Sequence, residues 1–156
     1  MRLNILQHLE NAFRKKTLRE LKKARIEITL ENIPKIIKEM SYEVRSKKNI
    51  ELCVCYKDNK PCHTKIKELN CFVCYCPNYD TKFLEGGCKI NSKNGKWAYY
   101  STPKKGRVWD CTDCTNNHFP SYVEEFIKKN LSDLQEEYAP ISSNFCVVTN
   151  RKIYKY

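Results

Sequence analysis

Eleven side chains able to ligate a metal ion lie between positions 53 and 118: Cys53 and Cys55, the Cys62–His63 pair, Cys71, Cys74 and Cys76, then Cys88, and finally Cys111, Cys114 and His118. Their spacing is chemical information. Cys71–Cys74 and Cys111–Cys114 are both C-x2-C, the spacing at which a tight turn aims two sulfurs at one ion while backbone N–H groups bond to them. Cys114 and His118 leave three residues between them, enough for the imidazole to swing back to the same centre. His63 adjoins Cys62, and neighbouring residues seldom both reach one tetrahedral ion, so His63 is either a ligand or a hydrogen-bond partner of one. The ligand set read from the sequence is Cys55, Cys62, His63, Cys71, Cys74, Cys76, Cys88, Cys111, Cys114 and His118, with Cys53 and Cys55 not distinguished. It exceeds the eight donors that two tetrahedral zinc ions need, so some donors are spare or the metal is not only zinc.

Other thiol chemistries depend on the compartment. A disulfide framework needs an oxidising one. The opening MRLNILQHLENAFRKK has no uninterrupted apolar stretch, because His8, Glu10 and Asn11 interrupt it, and no small-residue cleavage site follows. No window approaches the ~18–20 apolar residues of a membrane span. A reducing cytoplasm is the expected location and a membrane is not an expected partner. Cys71, Cys74 and Cys76 are also too close together for ordinary bridges among themselves. A C-x2-C redox pair would open a helix, whereas Cys74-Tyr75-Cys76-Pro77 reads as a turn. An iron–sulfur cluster is the alternative cofactor, since all-sulfur subsets such as Cys71, Cys74, Cys111 and Cys114 suit it; the two histidines favour zinc, about two ions. Cys146, in an apolar stretch, reads as an inert buried thiol, and His8 as a solvated side chain.

The elements that must position these donors are modest. The chain has 156 residues, 41% apolar and 30% charged, with a net charge of +11, which describes one globular unit with a small core. The charge is +7 over residues 1–50, +4 over 51–120 and zero over 121–156. Leu3, Leu6, Leu9, Phe13, Leu18 and Leu21 recur at helical steps, with a basic opposite face from Arg14 to Arg25. Ile26 and Ile28 alternate as in a short strand. Asn32 and Pro34 open a second helix whose apolar face is Ile33, Ile36, Ile37, Met40 and Val44. Residues 51–120 lose this periodicity and hold all four glycines. Lys96–Ser101 and Gly106–Asp110 read there as two short strands turning at Pro103. Ser121 and Glu124 form a capping box for a helix carrying Val123, Phe126, Ile127, Leu131 and Leu134 inward. A small hairpin is expected at 145–154. The resulting expectation is an α+β fold: a basic helical segment (1–50), a loop-rich metal-stapled domain (51–120), and a helix with a short hairpin packed on it (121–156).

The run Pro61-Cys62-His63, Cys71-x2-Cys74-Tyr75-Cys76-Pro77-x-Tyr79, Gly86-Gly87, Asp110-Cys111-x2-Cys114, His118, Tyr122 and Ile127 resembles the cysteine-rich small domain family, a zinc-finger-like family described as metal-binding. The resemblance covers roughly Cys55 to Ile127. In that family a cysteine usually precedes the Gly-Gly and a proline the histidine; here Cys88 follows the glycines and Asn117 precedes His118. The same domain occurs attached to pyridoxal-phosphate enzymes of the threonine-phosphate decarboxylase type, and nothing else in this chain resembles that enzyme.

The sequence contains no phosphate loop, nucleophile elbow or carboxylate pair beside a histidine. An enzymatic role would rest on an open metal position or a redox cluster. The expected function is a metal-binding, binding or adaptor module. Its basic helices offer RNA or DNA a surface, and Trp97, Tyr99, Tyr100 and Trp109 lie among Lys96, Lys104, Lys105 and Arg107. A larger protein partner and an accessory role in a biosynthetic or redox pathway are the other readings.

Overall fold

The computed structural model describes residues 3–101 and 106–139. Helix α1 (Ile5–Lys23) opens with a reciprocal cap: Asn4 Oδ1 accepts from the Gln7 N–H while the Gln7 side-chain oxygen accepts from the Asn4 N–H. It closes where Arg25 takes a φ of 56° and the N–H groups of Arg25 and Ile26 bond back to the carbonyls of Lys22 and Leu21. This left-handed cap satisfies carbonyls the helix would otherwise leave open. It also displaces the strand expected at Ile26–Ile28: the segment finds no pairing partner, and Ile28 is buried in the core instead.

The single helix expected from Asn32 to Val44 is two. Helix α2 (Ile33–Glu39) gains no cap from Asn32, whose side-chain amide donates to the Glu27 carbonyl. Helix α3 (Tyr42–Lys48) is capped by Ser41, which accepts from the Val44 N–H at 3.4 Å. The break frees backbone groups for a new pairing. Met40 accepts from the Cys71 N–H and Tyr42 donates to the Leu69 carbonyl, making an antiparallel bridge between Ser41 and Asn70. The first C-x2-C turn is thereby stitched onto a helix end.

A 3-10 turn (Ile50–Leu52) and helix α4 (Val54–Lys57) follow, then irregular chain up to the antiparallel pair β1 (Lys96–Tyr99) and β2 (Arg107–Asp110), in which Trp97 faces Trp109. A second 3-10 turn (Asn116–His118) leads into helices α5 (Pro120–Lys129) and α6 (Leu131–Tyr138). The expected capping box is not made. Phe119 is the cap, Pro120 takes the first helical position, and Ser121 falls inside the first turn. The helix then stops at Asn130, whose side-chain amide bonds the Phe126 carbonyl. Among the described residues, six helices and a two-stranded sheet confirm the mixed α+β class. The expected turn tip at 103–105, the hairpin at 145–154 and Cys146 lie outside the described residues. No described helix is long and apolar enough to cross a membrane.

The core joins both ends of the chain. Leu18 and Leu21 of α1, Ile33 and Ile36 of α2, Val123 and Ile127 of α5 and Leu134 of α6 pack with Phe72 and Val73, the two residues inside the first C-x2-C. Each buried aliphatic or aromatic side chain is worth about 1.5–3 kcal/mol, so the core holds that turn by its own middle residues. Leu3, Ile5 and Leu9 stay exposed, so the first half of the α1 stripe does not enter this core.

One charge lies under it. Arg45 of α3 is 2% exposed and its guanidinium bonds Glu20 of α1 and Glu39 of α2 at 2.5 and 3.0 Å. Burial raises the Glu20 carboxyl, but bonds from Lys23 and Asn49 and the Arg45 charge outweigh it and hold Glu20 below its ordinary value. A carboxyl lowered in the folded state stabilises above its unfolded pKa, and that contribution is lost as pH falls through the folded value. Arg45→Met should therefore cost about 3 kcal/mol in urea unfolding at pH 7, because Glu20 and Glu39 lose their buried partner and keep only the more exposed Lys23 and Lys48. The cost should shrink as pH falls through the folded Glu20 value, which lies below its ordinary 4.5, because protonation removes that charge.

Candidate metal centre

The first C-x2-C turn is held from three sides. Its Cys71 N–H donates to Met40, its Phe72 N–H to the Asn70 side-chain oxygen at 2.9 Å, and its Val73 carbonyl accepts from the Asn117 side chain at 2.7 Å. Cys55 is delivered by α4, anchored where the Tyr42 hydroxyl donates to the Cys55 carbonyl at 2.9 Å and the Tyr42 and Tyr56 rings meet edge to face at 5.6 Å. Cys53, Cys55, Cys71 and Cys74 lie near enough to shift one another's thiols, and Cys62 borders the same group. A hydrogen bond from the Cys74 thiol lowers the Cys71 pKa against the effect of burial, and the Tyr56 hydroxyl and the Arg45 charge add to the lowering. Cys74 is correspondingly raised. Burial, then Cys53, raise Cys55.

Cys76, Cys88, Cys111 and Cys114 make a second neighbourhood, lining one small pocket together with Trp109 and Tyr122. Backbone pairing assembles it. Tyr79 bridges Cys88, the Asp80 N–H donates to Gly87, the Lys89 N–H to Asn78, and the Cys114 N–H closes the second C-x2-C turn on the Cys111 carbonyl. Gly86, with φ of 75°, admits the Tyr79 side chain where a Cβ would collide with its hydroxyl and ring, and the Tyr79 hydroxyl reaches the Trp109 carbonyl at 3.0 Å. Ser92 serves the sulfurs directly: its N–H donates to Cys88 Sγ at 3.4 Å and its hydroxyl lies 3.6 Å from Cys114 Sγ. Burial, then the surrounding thiols, raise Cys76 and Cys111.

The histidines define a third set. Among the described residues, Cys62, His63 and His118 bring one donor atom each within 4.8 Å of one another. His118 is 5% exposed, and its Nδ1 lies 3.0 Å from the Asn70 carbonyl. A carbonyl can only accept, so Nδ1 carries the proton and Nε2 keeps a lone pair for a ligated ion, the arrangement that orients metal-binding histidines. Burial lowers both His118 and His63, keeping them neutral. Neutral imidazole and thiolate donors together are a metal-binding set.

Cys111 and Cys114 line a small pocket that Cys71 and Cys74 do not, and His118 gathers with Cys62 and His63 to within 4.8 Å, while Cys74, Cys111, Cys114 and His118 all border one larger cleft. The sequence reading missed Asn70, Asn117 and Ser92. Their only signal was position, beside Cys71, beside His118 and after Cys88. Asn117, which stands where proline is usual, anchors Val73 through an amide that proline lacks.

Comparison with known proteins agrees with this chemistry. The family model for the cysteine-rich small domain, a zinc-finger-like domain, matches residues 48–140, more than half of the chain. The chain belongs to the cysteine-rich small domain family. It is also 36% identical over 74 residues to the probable cobalt-factor III C(17)-methyltransferase of Methanothermobacter thermautotrophicus, an alignment covering 47% of this chain and 17% of that protein. The chain thus spans about a sixth of the length of that curated relative. No solved structure matches.

Two outcomes follow. Asn70→Ala leaves the Phe72 N–H and Ile37 carbonyl unsatisfied, at roughly 1–3 kcal/mol each, and should lower both unfolding free energy and metal affinity; Asn70→Asp, which keeps the acceptor for Phe72, should lose less. In metal-stripped protein, partial burial and then the thiols of Cys55, Cys71 and Cys53 push Cys62 up to about 11 from 9.0. A raised thiol pKa stabilises the fold below its unfolded value, and that contribution is lost as pH rises through the folded value. Metal-stripped protein should lose stability between about pH 9 and 11, while metal-loaded protein should change little when followed by thermal melts.

Proposed function

We propose that the protein is a zinc-stapled docking domain, with one structural ion in each four-cysteine neighbourhood: Cys53, Cys55, Cys71 and Cys74 in the first, and Cys76, Cys88, Cys111 and Cys114 in the second. The observation that supports the reading is that Cys76, Cys88, Cys111 and Cys114 line one small pocket without Cys71 or Cys74, which lie beside Cys53 and Cys55 instead. Four thiolates around a divalent ion leave two net negative charges, which the buried Arg45 beside Cys71 and the N–H groups aimed at Cys88 and Cys76 are placed to offset. The loop-built middle buries little apolar surface of its own, so bound metal supplies folding free energy there.

A docking role is supported by the alignment with a much longer methyltransferase, in which the matched segment is a small part of the polypeptide. A protein partner fits better than nucleic acid. Of the basic run in α1, Arg14 pairs with Glu137, Lys23 with Glu20, and Lys22 lies over the Tyr138 ring at 5.1 Å. On the hairpin, Lys96 pairs with Asp113, Arg107 with Glu85, and the Arg107 guanidinium covers Trp97 at 3.8 Å. These basic groups are engaged within the fold, whereas Lys15, Lys16 and Arg19 make no ion pair among the described residues.

Elemental analysis and a visible spectrum test the metal reading. Colourless protein holding at least two zinc ions supports it, with Cys74→Ser and Cys111→Ser each losing about one equivalent; brown protein with iron and labile sulfide replaces zinc with a cluster. Folded, metal-free protein overturns it. For partners, strongly salt-dependent binding to RNA that disappears when Lys15, Lys16 and Arg19 are changed together to Glu would replace the protein partner with nucleic acid.

A further inference from the structure

Three features converge on Cys62, His63 and His118. Their donors are already drawn within 4.8 Å, a closeness no other trio of cysteine, histidine or acidic groups reaches among the described residues. They are three, where a closed structural zinc site has four. They also line a cleft of about 700 Å³ whose walls include Leu6 and Leu9 of α1 and Val108 and Trp109 of β2. The same walls include Cys53, Cys74, Cys76, Cys111 and Cys114, the five thiols that the reading above assigns to the two four-cysteine ions. The half of the α1 stripe that stays out of the core contributes to this cleft, fixed there by the Tyr75 hydroxyl on the Leu6 carbonyl at 3.0 Å and by Asn4 on the Thr81 carbonyl at 2.7 Å.

We propose that Cys62, His63 and His118 hold a third divalent ion whose fourth position opens into this cleft and takes the sulfur of an organic thiol. The inference rests on the metal-binding reading above but on a different donor set. Charge selects the class of ligand. One thiolate and two neutral imidazoles leave a divalent ion with one net positive charge, so an anionic fourth donor neutralises it, whereas the four-cysteine sets already carry excess negative charge. The apolar part of the wall, with Leu6, Leu9, Val108 and Trp109, favours a sulfur donor on a hydrocarbon body, while Asp110 on the same wall repels a carboxylate, which would also lose its water on entry. On binding, the thiol S–H proton passes to solvent as the sulfur joins the ion; nothing is oxidised. The buried Nδ1–H bond of His118 to Asn70 fixes the imidazole, and Cys62, exposed at the surface, leaves the ion reachable.

Cobalt(II)-loaded protein provides the test, with benzenethiol as probe and benzoate as control. The expected result is three metal equivalents and a new sulfur-to-cobalt absorption saturating at one benzenethiol per chain, with total cobalt retained after gel filtration and no response to benzoate. His63→Ala, at a half-exposed position, and His118→Ala should each lower the metal content from three equivalents to two and abolish the benzenethiol response, leaving the four-cysteine absorption intact. Protein that binds two equivalents, unchanged by either substitution, overturns the third site while the docking-domain reading stands. Three equivalents without a benzenethiol response overturn the open position. Metal absent altogether overturns both readings.

Discussion

The arrangement of the donors depends on how one buried amide is satisfied. Asn70 is 1% exposed and bonds in four directions: its N–H to the His118 carbonyl, its carbonyl to His118 Nδ1, its side-chain oxygen to the Phe72 N–H, and its side-chain amide to the Ile37 carbonyl. Those contacts tie α2, the first C-x2-C turn and the histidine turn before α5 to a single residue. Each bond adds only about 1 kcal/mol net, but leaving any of these buried groups unmade costs more, so the geometry is held by the penalty for breaking it. Asn117 repeats the device on Val73.

Around that clasp the division of labour is clear. Helices from both ends of the chain bury Phe72 and Val73 and so seat the first sulfur turn in an apolar core. The second neighbourhood has little such support and is built from backbone bridges, from a tyrosine ring seated on a glycine, and from the Trp97–Trp109 edge-to-face pair at 5.1 Å. The side carrying Cys71 has its own apolar scaffold, whereas the side carrying Cys111 is held chiefly by backbone bonds and ring contacts. Arg45 connects the two problems, neutralising Glu20 and Glu39 between helices while its charge lowers the Cys71 thiol.

The helix boundaries show where pattern reading stops. The apolar positions of α2 and α3 were legible as one stripe, but Ser41 offers a cap, and the bonds gained by the Met40 carbonyl and Tyr42 N–H with the strand of Cys71 decide for a break. Asn130 divides α5 from α6 in the same way. Ile26–Ile28 alternated like a strand yet had no edge to pair with, and burial of Ile28 sufficed to order it.

Residue type and short spacing by themselves determined that this protein carries metal-class chemistry, that its donors fall between positions 53 and 118, and that helices flank a loop-built middle. They carried that information because a C-x2-C turn is local: two sulfurs three positions apart are aimed together by a few backbone bonds whatever the rest of the chain does. Which turns share a neighbourhood is a long-range matter. Cys76 meets Cys88 because Gly86 admits the Tyr79 ring, and His118 meets Cys62 and His63 because Asn70 holds its ring, contacts between residues up to 56 positions apart in the sequence. Only the tertiary structure decided those partnerships, since they depend on packing and on satisfying buried polar groups rather than on spacing.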